Sequence, residues 1–379
     1  MRKTNIIRNE KLKGLHGWYP GRRECTAERL LANPYNGCAH DCLGCYAGAL
    51  PGEGFRRHNA DGSVTAWVNF PVVVAYELDR LDYACALYIS PVADPLQPVE
   101  KELGLTEATI RVATERGLPV DVVTKAVPSP AILDLLAQNR HSLLQFSIPT
   151  ANETLRQRLM RGGAMVTQLE EGIRRAVDLG IYTVVRIDPI YPYLTDDPVR
   201  LSHIIAMARD SGARHIIASV LDLPLRIVGR IYSRLVAGWG ADMVARYRSL
   251  YTTRIGGYLH AQEDYRREEF TLVREMATTA GMTFALCMEF GQDDSGKPVG
   301  LNREFATTIN CEGQATPIYR RKGAGFVPAA DCDGACLTCT DARCGIDELA
   351  LGKRGVPAKG IQLADWRRWS RRDHPLLKL

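Results

Sequence analysis

Between Val72 and Leu221 the hydrophobic pattern keeps changing period, and that alternation restricts the fold more than any other feature of the chain. A helix-like stretch, Val72–Leu81, precedes an apolar run, Ala86–Ser90. Leu105–Arg116 is helical in period and ends at Gly117; Pro119–Lys125 is a Val-rich strand. Ala131–Asn139, Val166–Leu179 and Pro198–Arg209 are helical, and Leu143–Ile148, Thr183–Ile190 and His215–Leu221 are strands. Short β-rich runs separated by single helices mark parallel βα units. Such units close into a full or partial barrel, or spread into a doubly wound sheet. Roughly five to six strands, counting Thr283–Phe290 after a mostly helical Arg226–Met276, are too few for eight repeats. The expected fold is α/β, a partial (β/α)6-type TIM barrel with a small C-terminal metal-binding module. The division expected is 1–30 as an N-terminal extension, 31–300 as the barrel, and 301–379 as a Cys-rich module with a basic tail.

A chain of 379 residues with 46% hydrophobic and 24% charged residues can bury a sizeable core, which excludes wholesale disorder. The formal net charge of +5 permits an anionic partner without demanding one. No apolar run reaches membrane-spanning length, and Met1–Lys13 is basic without the apolar stretch of a signal peptide. A cytoplasmic protein with no membrane partner is expected.

Cysteine carries the chemistry. Seven of the 11 cysteines fall in two tight groups. An odd number without a signal peptide argues against a disulfide framework and for metal ligands. The first group, Cys38, Cys42 and Cys45, has the spacing C-x3-C-x2-C on a loop containing Gly37 and Gly44. A structural zinc site wants four protein ligands, whereas an iron–sulfur cube held by three thiolates keeps one iron open. The amino and carboxylate groups of S-adenosylmethionine suit that iron, and an electron from the cluster then releases a 5′-deoxyadenosyl radical. His40, inside the motif, leaves a Cys3His zinc site as the alternative. The second group, Cys332, Cys336, Cys339 and Cys344, offers four sulfurs, which satisfy either tetrahedral zinc or a second [4Fe–4S] cluster.

Cys38, Cys42 and Cys45 followed by Tyr46 resemble the radical S-adenosylmethionine superfamily. Asn33-Pro34-Tyr35, Asp94-Pro95 with Gln97-Pro98 and Glu100, Thr124-Lys125, and Asp188-Pro189-Ile190 narrow the resemblance to the spore photoproduct lyase group, often labelled DNA repair photolyase-like. The resemblance runs from about Asn33 to Asp197. It implies that the three cysteines hold a [4Fe–4S] cluster and that Tyr46 packs near S-adenosylmethionine. It also implies that Lys125 and its partner Ser147 contact the cofactor's carboxylate. Asp94 and Asp188, at strand ends, are read as holding a ribose hydroxyl or as capping a helix. Arg186 points inward or pairs on the outside of the barrel. A one-electron donor such as flavodoxin or ferredoxin is implied as partner. The hydrogen-donating cysteine of the lyase has no counterpart in Tyr88–Asp94, and Cys85 reads as a buried core thiol. The C-terminal cysteines are also foreign to that group, so the chain is expected to be a divergent member.

Two basic stretches suggest a nucleic-acid contact: Arg320-Arg321-Lys322 after Tyr319, and Trp366 and Trp369 interleaved with Arg367, Arg368, Arg371 and Arg372. Arg266-Arg267-Glu268-Glu269 reads as an ordinary salt-bridged helix surface. The expected function is radical attack on a nucleic acid or nucleotide, with lyase or repair chemistry. Alternatives are oxidative modification of a peptide or small metabolite through an auxiliary cluster, and a non-enzymatic zinc-stapled nucleic-acid-binding protein.

Overall fold

Seven strands lie side by side in one sheet: β1 (Leu30–Ala32), β2 (Leu87–Ile89), β3 (Val120–Thr124), β4 (Leu143–Ser147), β5 (Tyr182–Ile190), β6 (His215–Val220) and β7 (Thr283–Leu286). The computed structural model that shows them describes residues 6–9, 15, 30–89, 92–357 and 359–371. Most of the expected N-terminal extension, 1–30, lies outside the described residues. The strands follow chain order across the sheet, and every neighbouring pair is parallel. β1 and β7 do not pair, so the barrel is open. All six expected strands are present. The seventh, β1, is three residues long and too short to show a period.

The helices return each strand to the start of the next. Pro130–Ala137 begins behind Ser129, whose hydroxyl accepts from the Ile132 amide at 3.3 Å, with Pro130 in the first turn. Pro198–Asp210 begins behind Asp197, which accepts from the Val199 and Arg200 amides at 3.1 Å. Val166–Asp178 buries Leu169, Ile173 and Ala176, the stripe its period predicted. Every residue of β4 and β6 is buried, as expected for a parallel sheet covered on both faces. Among the described residues no helix is long and apolar enough to cross a membrane.

After β6 the regular pattern is interrupted by a cap. Leu223–Pro224, Tyr258–His260 and Thr253–Ile255 form a small antiparallel sheet, with helices Val228–Trp239 and Ala241–Leu250 between. The hairpin breaks the expected helical run where Gly256 (φ 59°) and Gly257 turn the chain. Helix Glu263–Thr279 then leads to β7.

Ile318, Tyr319, Phe326, Ile346, Leu349, Trp366 and Trp369 belong to the same buried core as the barrel strands. Of the two basic stretches, Arg320, Lys322 and Arg368 are exposed, while other side chains are taken up by the core. Trp366 and Trp369 are 1% and 3% exposed and pack edge to face. Arg367 donates to Glu77 at 3.0 Å, and Arg321 donates to the Leu81 carbonyl at 2.7 Å. Arg372 lies outside the described residues, and the side chain of Arg371 is not described. On the helix Glu263–Thr279, Arg267 is the expected surface pair, to Glu263 and Glu304, but Arg266 is wholly buried against Glu289 at 2.7 Å.

Trp366→Ala removes core volume, so it should lower stability by about 3–5 kcal/mol in urea unfolding. Retention on immobilised DNA should not change. Weaker retention without loss of stability would restore the tail as a binding element.

Candidate active site

A cavity of about 420 Å³ opens at the carboxyl ends of the strands. That is where a βα fold gathers chemistry, because each strand ends in a loop facing the same mouth. β1 delivers the chain directly into the cysteine loop. Cys38, Cys42 and Cys45 all line the cavity.

The loop is held from three sides. Gln97 accepts from the Ala39 amide at 3.0 Å and donates to the Gly37 carbonyl at 3.1 Å. The Leu43 amide donates to the Leu159 carbonyl at 2.8 Å, and the Gly162 amide to the His40 carbonyl at 3.0 Å. From the cap, Arg234 donates to the Cys42 carbonyl at 2.9 Å. Gly37 sits at φ 88°, and a Cβ there would lie 2.8 Å from the His58 ring. Behind the loop the Tyr35 hydroxyl donates to Glu100, which also accepts from the Thr106 amide at 2.9 Å. The Asn33–Tyr35 and Gln97–Glu100 signatures are thus the frame of the cysteine loop.

Burial pushes the Cys38 thiol up, helped by Asp94 and Cys42, and pushes Cys42 up to about 12 against the pull of Lys125. Three thiolates in such a place need a strongly cationic group, which fits a [4Fe–4S] cluster held by these side chains. As the chain stands, no three His, Cys, Asp or Glu side chains among the described residues converge on one point. His40 lines the same cavity, with its Nε2 3.2 Å from Asp94 Oδ2, so that ring nitrogen is engaged by a carboxylate.

Asp94 lines the cavity, but both its oxygens are taken. Oδ1 accepts from Thr124 Oγ1 at 2.8 Å and from the Leu96 amide at 2.9 Å, and Oδ2 from the Lys125 amide at 2.6 Å. Burial alone would raise its pKa, but His40 and Lys125 overcome this and hold it at about 2. Through these contacts Asp94 clasps the end of β3 to the cysteine loop.

Lys125 and Ser147 meet as expected. Lys125 Nζ donates to Ser147 Oγ at 2.8 Å, and that hydroxyl donates to the Asp188 carbonyl at 3.0 Å. An ammonium and a hydroxyl side by side in the cavity wall are suited to a carboxylate. Arg186 points inward. It donates to Asp188 Oδ2 at 3.1 Å, to Gln145 Oε1 at 2.8 Å and to Cys287 Sγ at 2.8 Å. Asp188 also accepts from Ser219 Oγ at 2.5 Å. Burial would raise the Asp188 pKa, but Arg186 and Ser219 pull it below the usual carboxylate range. Tyr46, 40% exposed, lines the mouth.

Three cavity residues had no signal in the sequence. Cys287, one residue past β7, read as a scattered cysteine. Asp222, beyond β6, and His260, on the cap hairpin, face each other with His260 Nδ1 2.6 Å from Asp222 Oδ1. Beneath them lies Glu289, which accepts from the Val220 amide at 2.7 Å. Burial, with the charge of Asp222, pushes Glu289 up to about 7 against the pull of Arg266. The cap thus supplies a second polar wall opposite Lys125 and Ser147, and only tertiary folding brings it there.

Lys125→Met should weaken S-adenosylmethionine binding about 10-fold or more, the worth of one charge-assisted hydrogen bond. Iron content should stay at the wild-type level. Loss of iron together with binding would mean that Lys125 supports the loop rather than the ligand.

No protein-family model matches the chain. A protein of Pseudomonas phage M6 named radical SAM Nα-GlyT isomerase is 29% identical over 372 aligned residues, covering 92% of this chain and 76% of the relative. Among solved structures, spore photoproduct lyase complexed with dinucleoside spore photoproduct superposes with a TM-score of 0.55 at 11% identity, covering 72% of this chain and 79% of that one. A cysteine-to-serine mutant of the same lyase gives 0.56 at 13% identity, with the same coverage. The lyase likeness is one of fold, and the phage relative extends it along nearly the whole sequence. The non-enzymatic binding protein falls away as a reading: along most of its length the chain is similar to a protein named a radical SAM enzyme, and its fold is that of spore photoproduct lyase.

Proposed function

We propose that the protein is a redox-neutral radical isomerase acting on a nucleotide unit of a nucleic acid. The observation that carries the nucleic acid is the charge of the cap. Between Leu223 and His260 the chain has six arginines (Arg226, Arg230, Arg234, Arg246, Arg248 and Arg254) and one acidic residue, Asp242. All but Arg234 are exposed, and the cap overhangs the cavity through Ile255, Tyr258 and His260. The rest of the chain is close to neutral, since the whole carries +5. A basic rim around a strand-end cavity concentrates polyanions at the mouth. The anionic footprint expected from the sequence therefore moves from the C-terminal tail to the cap.

Isomerisation is supported by two things. The phage relative is named an isomerase. The cavity also holds no second cysteine group to accept an electron: beyond the cluster loop its only sulfurs among the described residues are Cys287 and Met288. Lyase chemistry on the same substrate class is the nearer rival, and peptide oxidation through an auxiliary cluster is the more distant one.

When bound, the cluster and S-adenosylmethionine supply one-electron reduction and a 5′-deoxyadenosyl radical, with an external donor such as flavodoxin or ferredoxin. The chain's own residues do the rest. Lys125 and Ser147 fix the carboxylate of the cosubstrate. Arg186, held by Asp188 and Gln145, presents a fixed positive charge to the centre of the cavity. Asp222 and His260 are placed to orient a polar substituent of the substrate. The cap excludes water from the space between these walls.

Replacing Arg226, Arg248 and Arg254 with alanine should raise the Kd for a single-stranded 30-mer oligonucleotide. The slope of log K against log salt should shrink by about 0.7 for each phosphate that is no longer neutralised. Wild-type protein indifferent to DNA at low salt would remove the nucleic acid and leave the radical enzyme untouched. His260→Asn should lower substrate-dependent turnover about 10-fold or more. The slow substrate-free formation of 5′-deoxyadenosine should continue, and its disappearance would place His260 on the cofactor side instead.

A further inference from the structure

The second cysteine group lies at the end of the sheet opposite the cavity. The chain that leads to it crosses the amino ends of the strands. Tyr319 and Arg320 pair with Ala84 and Tyr83, just ahead of β2. The Tyr319 hydroxyl lies 2.6 Å from His141 Nδ1, ahead of β4. The Tyr182 hydroxyl, at the start of β5, donates to the Gly313 carbonyl at 2.9 Å. His215 Nε2, at the start of β6, donates to the Cys311 carbonyl at 3.0 Å. Strands of about five residues at about 3.3 Å each leave roughly 15–20 Å of packed sheet between this end and the cluster loop.

The segment carrying the cysteines has little else to order it. No helix or strand occurs between Pro328 and Asp347. Its fold is set by single backbone bonds: the Thr316 amide to the Asp333 carbonyl at 3.1 Å, Leu351 to Cys336 at 3.1 Å, and Gly352 to Cys339 at 2.9 Å. These bonds fold the segment following Cys344 back onto Cys336 and Cys339. Gly334, at φ 71°, passes so close that a Cβ would lie 1.8 Å from the Thr316 carbonyl oxygen. Cys336 is 5% exposed within the shared core. Irregular chain this tightly folded, with four thiols on it, has the makings of a metal-ordered loop.

We propose that Cys332, Cys336, Cys339 and Cys344 bind one zinc ion in a closed, four-thiolate site that staples the C-terminal region across the amino ends of the barrel strands. Side-chain rotation brings the thiols onto the ion, which displaces their protons. Four thiolates complete tetrahedral zinc and leave no position for substrate. The intervening sheet bars the site from touching a substrate in the cavity, so the auxiliary-cluster role expected from the sequence has no geometric basis. The ion's work is structural: it ties the loop to the base on which Tyr319, Trp366 and Trp369 pack.

The test uses the full chain, purified anaerobically and reconstituted with iron and sulfide. Wild type is compared with a Cys38→Ala/Cys42→Ala/Cys45→Ala variant and a Cys339→Ser/Cys344→Ser variant. The expected contents are about four irons and about one zinc in wild type. Zinc alone should remain in the first variant, and iron alone in the second, with a lower Tm. Should the second variant fail to fold, mercurial titration of wild-type thiols is expected to release zinc to a chromogenic chelator. Iron and sulfide in the first variant would overturn zinc in favour of a second cluster. No metal in the first variant, with a native circular-dichroism spectrum, would overturn the site altogether. Neither result bears on the iron of the first group, so the radical reading stands or falls separately.

Discussion

One carboxylate holds the catalytic end of the barrel together. Asp94 reaches the end of β3 through Thr124 and the Lys125 amide, its own loop through Leu96, and the cysteine loop through His40. A buried charge survives only if its partners replace the water it has lost. Here they replace it well enough to hold the acid at about 2 despite complete burial. The consequence is positional. With its backbone fixed by Asp94, Lys125 can extend only towards Ser147 and the cavity. His40, inside the motif, is held on Asp94 at 3.2 Å. The same carboxylate therefore ties the Lys125 wall of the cavity to the cysteine loop.

The sheet separates two kinds of work. At the carboxyl ends, loops converge on a cavity with charged groups on both sides. At the amino ends, aromatic residues and a folded-back C-terminal segment close the bottom of the core. The two ends are joined through the barrel interior, where Asp121 accepts from Gln145 at 2.7 Å and Gln145 in turn accepts from Arg186. This chain of buried polar groups fixes the guanidinium beneath the cavity. Gln145 links the two charged groups, donating to one and accepting from the other, and such linkage steadies polar residues inside a parallel sheet. An arginine so constrained cannot follow a moving substrate. It supplies a field of fixed direction, which stabilises charge only where charge is meant to appear.

The sequence yielded the parts governed by local pattern. Six strands, the helices between them, and the gathering of Cys38, Cys42, Cys45, Lys125 and Ser147 around one strand-end cavity were legible because period, spacing and strand-end position are local signals. The misreadings arose where a side chain's partner is far away in sequence. Trp366 and Trp369 looked like stacking residues because nothing nearby reveals that they lie under the strand Tyr83–Ala84. Arg266 looked like its neighbour Arg267, yet a single step of phase on the same helix sends it inward to Glu289. Asp222 and His260 stand in no motif, and their meeting depends on a hairpin that returns over the mouth. In the C-terminal segment spacing identified a metal site in principle, but only topology places it away from the chemistry.

That placement bears on the kind of reaction the cavity can support. A radical formed on a substrate ends either by losing an electron to an acceptor or by regaining a hydrogen atom. An acceptor must lie close to the radical, and the second cysteine group lies a full strand length away, beyond the packed interior of the barrel. Arg186 does lie close, but a guanidinium cannot be reduced and serves only to hold charge. Cys287 is close as well, yet its sulfur is engaged by Arg186. Apart from the cluster held by Cys38, Cys42 and Cys45, the cavity wall offers positive charge and hydrogen-bonding groups rather than a second redox centre among the described residues. A site of that composition suits a substrate that is rearranged and returned at its original oxidation level. Under the proposed function the basic cap has a simple part to play: it would select a polyanion at the mouth, while the fixed charges within would orient the enclosed unit.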